Sequence, residues 1–158
     1  MSVYTRILVP LEHSSYDAAI LEHVRPLARL CGAAIVLIHV ADGWAARNLR
    51  QLDLRESEEM QKDRAYLDQV CAELSRDGYD ADALLASGDP AGEILAAAER
   101  ERCDLIAMAT HGHRLVGDIV YGSVANVVRH RASVPVLLVR GRRGAARENR
   151  PRIARPNA

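Results

Sequence analysis

Residues 104–128 read D-L-I-A-M-A-T-H-G-H-R-L-V-G-D-I-V-Y-G-S-V-A-N-V-V. Asp104 to Ala109 is a short apolar run without polar alternation, the pattern of a strand covered on both faces in a parallel sheet. A helix is expected from about residue 122 to residue 131. Gly112 and Gly122 bracket the passage, with nine residues between them. Glycine lets backbone bend unusually or come close to something. One reading is a bound phosphate, cradled by bare amides and by the first turn of the helix that Gly122-Ser123 would open. The other is that both glycines serve turns and Ser123 is a plain helix cap.

Working outward, the same alternation of buried strand and helix repeats. Ile7-Leu8-Val9 is a non-alternating apolar run ended by Pro10. Ser14, Ser15 or Asp17 is placed to cap the next helix, in which Ala18, Ala19, Leu21, Val24, Leu27, Ala28 and Leu30 recur at helical spacing. Pro26 falls inside that pattern and is expected to bend or break the helix near residue 25. Gly32 closes it. Ala34 to Val40 is a second buried strand, followed by a loop through Asp42, Gly43 and Trp44. Residues from about 48 to 76 form a long, charge-rich amphipathic stretch. Residues 79–87 read as a third strand, less hydrophobic and so suited to a sheet edge. Gly88-Asp-Pro90 is a turn into a helix with Ile94, Leu95, Ala97 and Ala98 on its apolar face. Pro135 to Val139 is the fifth strand.

Five strands alternating with four helices imply an α/β fold: a Rossmann-like, doubly wound sheet of five parallel strands with helices on both faces. In such sheets ligands bind beyond the carboxyl ends of the strands, where strand order reverses. That selects Pro10 to Ser14, Val40 to Gly43 and Ala109 to Ser123.

Bulk properties agree with a single core. A chain of 158 residues, 49% apolar, buries enough surface to fold without staples. There is no apolar run near 20 residues and no basic-then-apolar N-terminal layout, so neither a spanning helix nor a secretory signal is expected. Cys31, Cys71 and Cys103 are scattered and odd in number, which argues against a disulfide framework or a zinc site and for a reducing cytoplasm. The net charge of zero hides an asymmetry. From Arg140 onward there are seven arginines and one glutamate, against 14 basic and 20 acidic side chains in the preceding 139 residues. Residues 1–140 are expected to be the domain, and 141–158 a disordered basic tail. The tail serves solubility or, by charge alone, touches nucleic acid or acidic partners.

Neither G-x-x-x-x-G-K-[ST] nor G-x-G-x-x-G occurs. Glu12, just past the first strand, either hydrogen-bonds a ribose hydroxyl, reaches a metal held by phosphates, or is a solvated loop residue. Arg114 could add positive charge near a phosphate. His39, inside an apolar strand, reads as a core histidine with a satisfied partner. His111 and His113 form an H-x-H pair with no further metal ligand nearby. Cys103 has no base beside it in sequence. Nothing in these patterns demands an enzyme.

Taken together, the chain resembles the universal stress protein family over residues 4–140. The resemblance rests on Ile7-Leu-Val-Pro10 with Glu12, Leu37-Ile-His-Val40, Gly88-Asp-Pro90, Ala107-Met-Ala-Thr-His-Gly112, Gly122-Ser123-Val124 and Val134-Pro-Val-Leu-Leu-Val139. ATP-binding members carry G-x2-G-x9-G-[ST]; here Ala109 stands at the first glycine, while Gly112, Gly122 and Ser123 match. The family usually has aspartate where Glu12 stands, and often a small residue at His13. The resemblance implies strand order 3-2-1-4-5 and an adenine nucleotide, ATP foremost, with Mg²⁺ on its phosphates. Gly112, Gly122, Ser123 and Val124 would hold the phosphates, with His113 and Arg114 beside them. Val40 would meet adenine; Pro10, Leu11, Met108 and Ala109 would line the adenosine. It further implies a homodimer through residues 134–140 and a sensing or regulatory role in stress with at most slow ATP hydrolysis. The alternative is a dimeric scaffold of the same fold that binds no nucleotide and acts through protein partners.

Overall fold

The computed structural model describes residues 2–42, 53–111 and 119–141, without the side chains of Asp42, 53–57, His111 and 119–121. The expectations for Gly43 and Trp44, Gly112, His113 and Arg114, and the segment 142–158 lie outside the described residues. The strands are β1 (Arg6–Pro10), β2 (Ala34–Asp42), β3 (Ala81–Gly88), β4 (Leu105–His111) and β5 (Val136–Gly141). The helices are α1 (Asp17–Cys31), α2 (Asp53–Arg76), α3 (Pro90–Arg100) and α4 (Ile119–Arg131). All strand pairs are parallel, in the order β3-β2-β1-β4-β5.

The non-alternating strands are explained by two cores, one on each face. Ile7, Val9, Ile35, Leu37, Leu105 and Ala107 meet Ile20 and Val24 of α1 and Leu67 and Leu74 of α2. Leu8, Val36, Ile38, Ile106 and Met108 meet Ile94 and Ala97 of α3 and Val128 of α4. Successive strand residues point to opposite faces, so a strand covered on both sides must be apolar throughout. Each such Val, Leu, Ile or Met side chain contributes about 1.5–3 kcal/mol when fully buried. The edge position expected for the third strand is observed: β3 pairs with β2 alone and is only partly buried.

Two local expectations are corrected. α1 continues through Pro26 rather than breaking near residue 25. Pro26 and Glu22 are both exposed, so the carbonyl deprived of its amide partner faces water. Its N-cap is Tyr16, with no side-chain cap bond; Ser14, Ser15 and Asp17 do not cap it. Elsewhere the punctuation acts as read. Gly32 ends α1 in the left-handed region at φ 63°, a conformation that glycine adopts without strain. Asp89 caps α3 by accepting from the Gly92 amide at 2.8 Å, with Pro90 at the first helical position. No helix of the described residues is long and apolar enough to cross a membrane.

Candidate functional site

The sheet grows from β1 to β2 and β3 on one side, then crosses back to β4 and β5 on the other. Strand order therefore reverses between β1 and β4, and a crevice opens beyond their carboxyl ends. A cleft occupies that crevice, lined by Pro10, Leu11, Glu12, Ile38, Val40, Pro90, Ile94, Met108, Ala109 and Val124. Its empty space is about 410 Å³, counting the open solvent at its mouth. Glu12 is the one ionisable residue among these ten.

Seven of the residues expected from sequence thus line one cleft: Pro10, Leu11, Glu12, Val40, Met108, Ala109 and Val124. Ile38, Pro90 and Ile94 were missed. Ile38 was legible, because it shares the face of Val40 two residues away. Pro90 and Ile94 come from α3, which no ligand pattern marks.

The rim formed by the exit of β1 is firmly held. The Leu11 amide donates to the Ile38 carbonyl at 2.8 Å, which continues the ladder past Pro10. Asp17 is 2% exposed. Its carboxylate accepts from the Glu12 amide at 2.9 Å, from the Ser14 amide at 3.2 Å and from the Tyr66 hydroxyl at 2.6 Å. The Ser14 hydroxyl donates to Glu12 Oε2 at 3.2 Å. His13 sits at φ 60°, where a side chain other than glycine is uncommon. Its ring compensates, stacking on Tyr66 at 4.2 Å and meeting Asp63 Oδ1 through Nδ1 at 2.7 Å. Burial first, then the bond to Asp17, pushes the Tyr66 hydroxyl far above its ordinary range, so it stays a donor. His39 is the satisfied core histidine expected: its Nδ1 lies 2.8 Å from the Leu11 carbonyl. Asp17, Asp63 and Tyr66 were not singled out as site residues, and Asp63 is hidden in the charged surface of α2.

On the opposite wall, α4 starts at Ile119, three residues before the expected position. Gly122-Ser123 therefore follows the start of the helix instead of opening it, and the helix's unpaired amides belong to the turn before Ser123. Gly122 is exposed, and a Cβ built on it meets no described atom within 4 Å. Its φ is not in the left-handed region. Neither backbone conformation nor packing among the described residues requires glycine there, although glycine costs a helix about 1 kcal/mol relative to alanine. Ser123 is exposed beside it, and Val124 is buried in the cleft wall.

Burial pushes the thiols of Cys103 and Cys71 upward, away from the thiolate form that nucleophilic chemistry requires. Among the described residues no three His, Cys, Asp or Glu side chains gather to hold a metal ion. The described lining of the cleft is nine apolar residues and Glu12; Gly122 and Ser123 are not part of it.

The family model for the universal stress proteins matches residues 3–140. The chain belongs to the universal stress protein family. Universal stress protein MJ0577 of Methanocaldococcus jannaschii is 27% identical over 161 residues, covering 89% of this chain and 98% of that one. The solved structure of hypothetical protein MJ0577 superposes with a TM-score of 0.69 at 28% identity, over 89% of this chain and 99% of the other. Two further universal stress protein structures share the fold. One, from Archaeoglobus fulgidus, is a complex with dAMP, with a TM-score of 0.61, 22% identity and coverage of 87% and 98%. The other is a complex with cAMP, with a TM-score of 0.66, 18% identity and coverage of 88% and 98%.

Proposed function

We propose that this universal stress protein binds an adenine nucleotide, ATP foremost, in the cleft beyond β1, β2 and β4, and acts as a sensor or regulator in the stress response. The observation that carries the reading is the cleft itself, in which nine apolar residues suit a purine and one carboxylate suits a ribose hydroxyl. Gly122 supports a phosphate subsite, since ligand approach accounts for a glycine that packing among the described residues does not need. The dAMP and cAMP complexes of two relatives of the same fold support the ligand class. In this reading Val40 and Met108 flank the base, Pro10, Leu11 and Ala109 line the sugar, and Glu12 accepts from the ribose. Gly122, Ser123 and Val124 face the phosphates, together with Gly112, His113 and Arg114. Mg²⁺ would be carried by the phosphates, because the described residues offer no three-ligand set of their own.

We further propose that two copies pair through β5. That strand has one neighbour, β4, and Leu138 on it is 38% exposed, so its outer edge is open among the described residues. Work in a reducing cytoplasm is supported by the free thiols of Cys31, Cys71 and Cys103. The scaffold alternative is favoured by Ala109, whose methyl stands in the cleft lining at the position of the first glycine in the pattern G-x2-G-x9-G-[ST]. Calorimetric titration with ATP, AMP and cyclic AMP, with and without Mg²⁺, separates the two. Saturable heat supports nucleotide binding; absence of heat and of thermal stabilisation at millimolar nucleotide leaves the scaffold.

A further inference from the structure

A second polar cluster lies on the other side of the sheet from the cleft. Asp63 of α2 stands between two imidazoles: His13 Nδ1 is 2.7 Å from its Oδ1, and His39 Nε2 is 3.2 Å from its Oδ2. His39 is 7% exposed. The Leu11 carbonyl can only accept, so the 2.8 Å contact assigns a proton to His39 Nδ1. His39 Nε2 faces Asp63 Oδ2 at ion-pair distance, and the His13 ring donates from Nδ1 to Asp63 Oδ1.

We propose that Asp63 is a positioning residue for the nucleotide cleft, holding the Leu11–Glu12 rim in place through His39 and His13. The coupling is short. Asp63 orients His39, His39 donates to the Leu11 carbonyl, and Leu11 and Glu12 line the cleft. Asp63 also holds His13, the residue after Glu12, in its left-handed conformation. Among the described residues, Asp17 of α1 and Tyr66 of α2 flank this cluster, and the β3 residue in register with His39 is Leu85. The Tyr66 hydroxyl donates to Asp17.

The inference rests on the nucleotide reading for its effect on affinity, but its geometry is testable without ligand. The decisive pair of variants is Asp63→Asn and Asp63→Ala. Asparagine accepts from His13 with its oxygen and donates to His39 with its nitrogen, so the clasp survives. Alanine removes it. In titrations with AMP, Asp63→Ala should bind about tenfold more weakly than the wild type, and Asp63→Asn should recover most of that loss. Full affinity in Asp63→Ala, or equal losses in the two variants, overturns the proposal. If the wild type binds no nucleotide, the functional reading fails separately. Amide exchange at Leu11 to Ser14 then decides the clasp. Faster exchange in Asp63→Ala but not in Asp63→Asn sustains it. Unchanged exchange in Asp63→Ala, or equal acceleration in both variants, overturns it.

Discussion

His39 and Val40 are consecutive residues of β2 and serve opposite layers: Val40 lines the cleft, and His39 reaches Asp63 of α2. The alternation of a β-strand is enough to place a ligand wall and its support one residue apart. The rim at Leu11 and Glu12 joins the two, being a wall of the cleft and a partner of His39 and Asp17 at once.

The glycine of α4 gives a test with effects of opposite sign. Gly122→Ala adds a methyl that meets no described atom within 4 Å, and a better helix former. Stability should rise by about 0.5–1 kcal/mol, read by urea denaturation without ligand. Affinity for adenine nucleotide should fall by about tenfold or more, because the methyl occupies the approach of a phosphate. Unchanged affinity would remove the phosphate subsite from this wall.

Glu12 is the one ionisable residue among the described residues that line the cleft. Glu12→Gln should weaken binding of a ribonucleotide by about tenfold, the cost of replacing a charged acceptor with a neutral one. Binding of 2′,3′-dideoxy-adenosine phosphates should change much less. Equal losses for both ligands would mean that Glu12 acts on the rim rather than on the sugar.

Much of this architecture was legible because its determinants are local. The apolar runs at Ile7-Leu8-Val9 and Leu105 to Ala109 announce strands covered on both faces, and Gly32 and Asp89-Pro90 punctuate helices by their own chemistry. What escaped depends on tertiary context. Pro26 survives inside α1 because it lies on the exposed side. Asp17 bonds the chain before its own helix, and Asp63 finds two histidines 50 and 24 residues away in sequence. No spacing rule connects positions so distant. The start of α4 escaped because Gly122-Ser123 resembles an opening that the chain makes three residues earlier.

Asp104 fastens the start of β4 to the start of β1. Its carboxylate accepts from the Thr5 amide at 2.8 Å, the Arg6 amide at 3.0 Å and the Thr5 hydroxyl at 2.7 Å. Burial works to raise this carboxyl, but those bonds outweigh it and hold it below the usual aspartate range. A depressed carboxyl contributes stability above its unfolded value and loses it as pH falls through the folded one. Asp104→Asn should cost about 1 kcal/mol at neutral pH. Its stability should also fall less steeply than that of the wild type on acidification below about pH 4. Parallel acid slopes in denaturation curves would contradict this assignment.

Gly141 ends β5 against α1, where an added Cβ would lie 2.5 Å from Tyr16 Cδ1 and 3.3 Å from Tyr16 Cβ. Gly141→Ala should destabilise by about 1–3 kcal/mol, and Tyr16→Ala in the same chain should recover part of the loss. Additive losses in the double variant would show that the ring is not the obstacle.

The outer edge of β5 is the expected site of pairing. Leu138→Asp should shift sedimentation equilibrium from dimer to monomer with the circular dichroism spectrum unchanged. A dimer that persists would assign pairing to another surface.

The central claim is that the cleft beyond β1, β2 and β4 takes an adenine nucleotide, and isothermal titration of the purified, ligand-stripped protein with ATP tests it most directly. The account predicts saturable binding of one nucleotide per chain, lost on Gly122→Val and weakened by Glu12→Gln. Binding that both variants leave untouched, or no binding at millimolar ATP, AMP and cyclic AMP, contradicts it.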